Sequence, residues 1–228
     1  MKKINLFAIA TALLLVFTSC STEDSLITNE QNSNLLKTFK LKKDATGAYS
    51  LDIDVQNNTK VDKVLDADTN SSKFYLYSTE NETQNNFSEN LSIDNNKFKV
   101  SFIETNTLMK HNITIEDDIK SFSMKNDNDL KLDTYEISGN DEGDFNLNFS
   151  VKNNVDVSFV LNEDTNTYEV HLESGKGGQT VFNRTLEKTE GQLLKLDFVN
   201  HINNQNAKSN SEALERKPRI IIDHGLVD

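Results

Sequence analysis

Apolar and polar residues alternate with period two along most of this chain. In "AYSLDIDVQ", Tyr49, Leu51, Ile53 and Val55 share one face, with Ser50, Asp52, Asp54 and Gln56 on the other. "KFKVSF" repeats the pattern through Phe98, Val100 and Phe102, and "FNLNFSV" through Phe145, Leu147, Phe149 and Val151. Successive side chains of an extended backbone point to opposite sides, so the alternation predicts strands with one face buried and one wet. It also predicts antiparallel pairing, because strands of parallel sheets are usually covered on both faces. Short polar clusters separate the strands: "DATG" at 44–47, "DNN" at 94–96, "NDND" at 126–129, "NN" at 153–154 and "EDTN" at 163–166. With a single proline in the chain, the turns fall to Asn, Asp and Thr, whose side chains bond their own backbone. The expectation is a mainly β fold of roughly ten strands between residues 35 and 186, an antiparallel hairpin meander. Such a meander closes into a β-sandwich or an up-and-down barrel.

The pattern changes near the C-terminus. From Gln192 to Asn203, Leu194, Phe198 and Ile202 recur at four-residue spacing, with Leu193 and Val199 beside them, and predict a short amphipathic helix. "NNQNAKSNS" reads as a loop, after which Ser211 caps a short helix at "EALERK" that Pro218 stops. "RIIID" is expected as a last strand pairing on an open sheet edge. A helix after a meander resembles lipocalin-like barrels in topology, although the chain lacks tryptophan and hence their Gly-x-Trp signature.

The N-terminus has a different logic. Lys2 and Lys3 precede an uncharged run from Leu6 to Phe17, and small residues then lead to Cys20, the only cysteine. These are the parts of a secretory signal, and the run is too short to span a bilayer. Phe17-Thr18-Ser19-Cys20 resembles the lipobox of bacterial lipoproteins. The resemblance implies cleavage before Cys20, a diacylglycerol on its thiol and acylation of the new amino group. Two or three acyl chains hold a protein firmly to a membrane, whereas one holds it only marginally. "STED" after the cysteine resembles the acid-rich export signal of surface lipoproteins in one phylum of Gram-negative bacteria, which implies an outer-membrane location facing the exterior. Asp24-Ser25-Leu26 matches the Asp-Ser/Thr-aliphatic pattern for O-glycosylation in such bacteria, with Ser25 as the acceptor. The organisation read from the sequence is a signal peptide at 1–19 and a lipidated cysteine with polar tether at 20–34. An antiparallel β domain with its C-terminal helix follows at 35–204, then a loop, short helix and final strand at 205–228.

Charge narrows the partners. The formal net charge is −12, and loss of Lys2 and Lys3 with the signal takes it to −14. Phosphate backbones repel such a chain, so nucleic acid is excluded, and "RKPR" at 216–219 is too short to reverse that. With Cys20 lipidated, no thiol remains for disulfides, thiolate metal sites or nucleophilic catalysis. "DADTNSS" places Asp66, Asp68 and Asn70 at alternating positions, as in the first half of an EF-hand loop, but Ser71 stands where glycine belongs and Tyr77 where the bidentate glutamate does. "GNDEGD" offers Asp141, Glu142 and Asp144 around a second turn. Calcium is the ion such hard oxygen donors suit, and no other cofactor is indicated. His171 sits between Glu169 and Glu173 on the strand face expected to be wet, a set that would serve a metal or simply be solvated. His111, His201 and His224 lie outside any His-Glu-x-x-His spacing, and no Gly-x-Ser-x-Gly elbow nominates a nucleophile. "ESGKGGQT" at 173–180 lacks phosphate-loop spacing and reads as a hairpin loop. The expected function is therefore non-enzymatic: a membrane-anchored surface lipoprotein presenting a β domain for binding or adhesion to a protein or glycan. The alternative is a lipocalin-like carrier or sensor of a small apolar ligand.

Overall fold

The computed structural model of the chain describes residues 34–80, 85–91, 97–107, 109–117, 131–140, 142–187, 192–202 and 213–226. Cys20, Ser25 and the whole of 1–33 lie outside the described residues, as does Asp141. Fourteen strands, in two sheets, and no helix occur among the described residues.

The chain winds between the two sheets. β1 (Leu36–Lys43) and β2 (Tyr49–Val55) form a hairpin in the first sheet, and β3 (Thr59–Asp66) and β4 (Ser71–Ser78) form one in the second. β5 (Asn86–Leu91) returns to the first sheet beside β2. β6 (Lys97–Glu104) and β7 (Met109–Glu116) then make another hairpin in the second, with β6 parallel to β4. The same path follows again. β8 (Leu132–Asn140) and β9 (Phe145–Val151) pair in the first sheet, and β10 (Val155–Asn162) and β11 (Thr167–Ser174) in the second. β12 (Val181–Leu186) returns beside β9, and β13 (Leu194–Ile202) pairs with β14 (Ala213–Leu226) while running parallel to β11.

Strand order makes the repetition plain. The six-stranded sheet is β12-β9-β8-β1-β2-β5 and the eight-stranded sheet β10-β11-β13-β14-β7-β6-β4-β3. Exchanging β1–β7 for β8–β14 reverses each order onto itself, so the halves are related by a pseudo-twofold. Its two seams are β1 against β8, centred on Leu41 opposite Ile137, and β7 against β14, centred on Thr114 opposite Ile221. Backbone details repeat with the topology. Asn58 and Asn154 have φ of 61° and 62°, Asn70 and Asn166 of 47° and 48°, Gly47 and Gly143 of 85° and 86°. Each pair is 96 positions apart. At that offset "QNNTKVDKVLDADTN" (56–70) aligns without a gap on "KNNVDVSFVLNEDTN" (152–166). Asparagine can occupy these left-handed turn positions because its short side chain bonds locally, where most residues pay about 1–2 kcal/mol.

The core lies between the sheets. Phe39 stacks on Phe102 at 5.4 Å and Tyr49 meets Phe98 at 5.0 Å. In the second half Phe149 and Tyr135 meet Phe198 at 5.5 and 5.6 Å. Leu51, Ile53, Val100, Ile113, Leu147, Leu172 and Ile220 fill the space around them.

The mainly β expectation and the buried faces it assigned are as the structure has them; three other expectations are corrected. The antiparallel hairpin meander closing into a sandwich or up-and-down barrel is replaced by a winding between sheets, the path of a β-solenoid. In it β4–β6 and β11–β13 pair parallel, and "ESGKGGQT" crosses from β11 to β12 in the other sheet instead of turning a hairpin. Alternation tells which side of a strand is buried but not which sheet the strand joins. Of the helix expected over 192–203, Leu194–Ile202 is strand β13, and of that expected at "EALERK", residues 213–217 lie in β14, while Asn203 and Glu212 are outside the described residues. "RIIID" does not cap an edge: β14, Ala213–Leu226, is an interior strand of the eight-stranded sheet, paired on both sides. Pro218, which cannot donate to a ladder, sits where the β13–β14 register shifts between Asp197 and Val199, the kind of position that tolerates proline in a sheet.

Candidate functional site

The outer face of the eight-stranded sheet carries a cluster of donor side chains on β11 and β13. Alternation along β11 sends Val170 and Leu172 into the core and Glu169, His171 and Glu173 outward. Parallel pairing with β13 sets His171 in register with Val199, two residues before His201. His171 Nδ1 lies 2.8 Å from His201 Nε2, and His171 Nε2 lies 3.1 Å from Glu169 Oε2. Glu173 Oε1 is 3.7 Å from His201 Nε2. Glu169 is buried and its other oxygen accepts from Asn162 Nδ2 at 3.2 Å. The face expected to be wet is thus wet only at Glu173. His201 was the member that periodicity missed, because it lies in the segment read as a helix.

Two further clusters close the ends of the core, at positions equivalent under the pseudo-twofold. At one end Tyr135 donates to Tyr49 Oη at 2.9 Å, and Tyr49 donates to Asp117 Oδ2 at 2.5 Å. Lys43 Nζ reaches the same oxygen at 2.8 Å. Burial raises both phenols well above the ordinary tyrosine range, with Asp117 and, for Tyr49, Tyr135 adding to it, so both stay protonated and able to donate. The other end has Phe145, Phe39 and Gly139 in place of Tyr49, Tyr135 and Lys43, and His224 in place of Asp117. There His224 Nδ1 is 2.7 Å from Nδ1 of the buried His111. Both arrangements tie the two sheets together, the first by a charge-assisted hydrogen-bonded chain and the second by imidazole packing against Phe145.

The acidic turns serve their own backbones. Asp66 Oδ1 accepts from the Thr69 amide at 3.2 Å and the carboxylate stands 3.7 Å from Lys73 Nζ. Asn70 donates to the Lys97 carbonyl at 2.9 Å, while Asp68 is exposed. Asp144 donates its amide to Asn140 Oδ1 at 2.8 Å and accepts from Asn140 Nδ2 at 3.2 Å; Glu142 is exposed beside it. The turns belong to different sheets, Asp66–Asn70 joining β3 to β4 and Glu142–Asp144 joining β8 to β9. Among the described residues no three His, Cys, Asp or Glu side chains stand in ready-made coordination geometry.

No protein-family model matches the chain, and no curated protein and no solved structure matches it significantly.

Proposed function

We propose that this chain is a lipid-anchored protein of the outer membrane, displayed outward from Cys20, whose repeated β domain binds a protein or glycan without catalysis. One observation carries the binding part. The eight-stranded sheet ends in β3 on one side and β10 on the other, and both edges expose the same Val-Leu pair. Val64 and Leu65 are 48% and 63% exposed, and Val160 and Leu161 are both 47% exposed. Identity between the halves elsewhere falls mainly on core and turn residues, with Thr38/Thr134, Ser78/Ser174 and Lys99/Lys195 as single polar matches on outward strand positions. Folding does not require two adjacent exposed aliphatics, yet both copies keep them, each beside an Asp-Thr-Asn turn. An open edge with apolar side chains is a template for an added strand or a flat ligand, and two copies make the domain bivalent.

The test compares the chain with the variant V64S/L65S/V160S/L161S on a glycan array and a panel of purified extracellular-matrix proteins. A ligand held by the unaltered chain and released by the fourfold variant is expected. Each single-edge variant should lose about 10²–10⁴-fold in avidity on a dense surface, because only one contact remains. A ligand held equally by the fourfold variant would refute the edges as the binding surface. Retention of Cys20→Ser in the membrane fraction would refute the anchor.

A further inference from the structure

We propose that the outer face of β11 and β13 is a binding site for a divalent transition ion of the zinc class. His171 Nδ1, His201 Nε2 and the Glu173 carboxylate are its ligands, and Glu169 is the residue that positions His171.

The hydrogen bonds assign the roles. A histidine that ligates a metal through one nitrogen almost always gives the proton on the other to a carboxylate or carbonyl, which fixes tautomer and ring orientation. Glu169 Oε2 sits 3.1 Å from His171 Nε2, so the proton resides there and the Nδ1 lone pair points at His201. Glu169 is in turn held by Asn162, and both strands are interior to the sheet, so this half of the site is rigid. In the 2.8 Å hydrogen bond between them His201 Nε2 is the donor, so sharing an ion requires His201 to carry its proton on Nδ1 instead and the two nitrogens to separate to about 3.3 Å, the spacing set by zinc–nitrogen bond length. Glu173 is 55% exposed, and its Oε1 stands 3.7 Å from His201 Nε2, within a rotamer change of the same point. Two imidazoles and one carboxylate select zinc or its neighbours over calcium, which takes six to eight oxygens.

The duplicate half supplies an internal control. The positions equivalent to Glu169, His171, Glu173 and His201 are Lys73, Tyr75, Tyr77 and Thr105. Strand pairing there is the same, β4 parallel to β6 as β11 is to β13. The fold therefore does not demand donors at these four places. Only the second half has them, at all four.

The experiment titrates Zn²⁺ into the untagged full-length chain in mild detergent, by calorimetry. One equivalent bound with micromolar or tighter Kd is expected. Folding is protected by borrowing the residues of the duplicate half: the double variant His171→Tyr/His201→Thr should pair its strands as β4 and β6 do, checked by circular dichroism, and should lose binding at least 100-fold. Glu169→Gln should weaken it about 10–100-fold by releasing His171. Ca²⁺ should not compete. Absence of saturable binding in the unaltered chain would overturn the proposal, as would unchanged binding in the folded double variant, which would put the ion elsewhere.

Discussion

Asp44 shapes the turn from β1 to β2 with one carboxylate oxygen, which accepts from the Thr46 amide at 2.8 Å, the Thr46 hydroxyl at 2.6 Å and the Ala48 amide at 2.9 Å. Those donors, the Thr46 hydroxyl first, hold its carboxyl below the ordinary value of 3.8. A carboxyl whose folded pKa lies below its unfolded one stabilises fully above the unfolded value and loses that contribution as pH falls through the folded one. The equivalent turn uses an uncharged acceptor: Asn140 takes the place of Asp44, and its Oδ1 accepts from the Asp144 amide. Asp44→Asn is therefore expected to keep the turn and to unfold in urea at nearly the unaltered midpoint at pH 7. Between pH 5 and pH 3 the unaltered chain should lose more stability than the variant does. Equal acid sensitivity in the two would locate the effect at other carboxyls, such as Asp66, which hydrogen bonds from Thr69 also hold low.

Among the elements, β1 depends on a side chain from the opposite sheet. Glu104, buried at the end of β6, accepts from the Leu35 amide through Oε2 and the Leu36 amide through Oε1, each at 2.9 Å, and from the Thr107 hydroxyl at 3.1 Å. The second half closes the same corner differently, with Lys131 Nζ donating to Asn200 Oδ1 at 3.4 Å and to the His201 carbonyl. Glu104→Ala would leave two amides without their acceptor, at about 1–3 kcal/mol each. The expected fall in Tm is on the order of 5–15 °C, and hydrogen exchange at Leu35 and Leu36 should quicken well before the rest of the sheet. Glu104→Gln, with a single acceptor oxygen, should recover part of the loss. Unchanged exchange at both amides would mean that β1 is held by its neighbours alone. Such clamps were invisible in the sequence, where Glu104 is one acid among many. The strand faces were legible wherever one side was wet, as in β2 and β9. β13 was not, because Asp197, Val199 and His201 are buried on its outer side as Leu194, Leu196 and Phe198 are on its inner one. A strand covered on both faces loses the alternation, and its apolar residues then fall by chance at helical spacing. Likewise His171 and its acids were visible as a face, but their partner His201 comes from this misread strand.

At the scale of the whole molecule the duplication was legible after all, in the 96-residue offset of two turn motifs, though periodicity within single strands is blind to it. What no repeat could reveal is that the seams between the halves have diverged. In the β1–β8 seam Phe39 stands opposite Gly139 and Tyr135 opposite Lys43. A Cβ at Gly139 would lie 2.6 Å from the Phe39 ring and 2.7 Å from that of Phe145. Lys43 instead extends to Asp117, and the network it completes takes Tyr49 from its own half and Tyr135 from the other. A pair of first halves would set Lys43 against Phe39 and leave Tyr49 without the phenol of Tyr135. The halves are thus built for each other and not for themselves. Co-expressed as residues 34–124 and 125–228, they are expected to associate one to one and restore the β-sheet circular dichroism of the intact chain, with mass measured by light scattering. The first fragment alone should yield no stable folded species. A folded homodimer of it, as stable as the pair, would mean that the seam still has the symmetry of its origin and that the Tyr49–Asp117–Lys43 network adds nothing to the choice of partner.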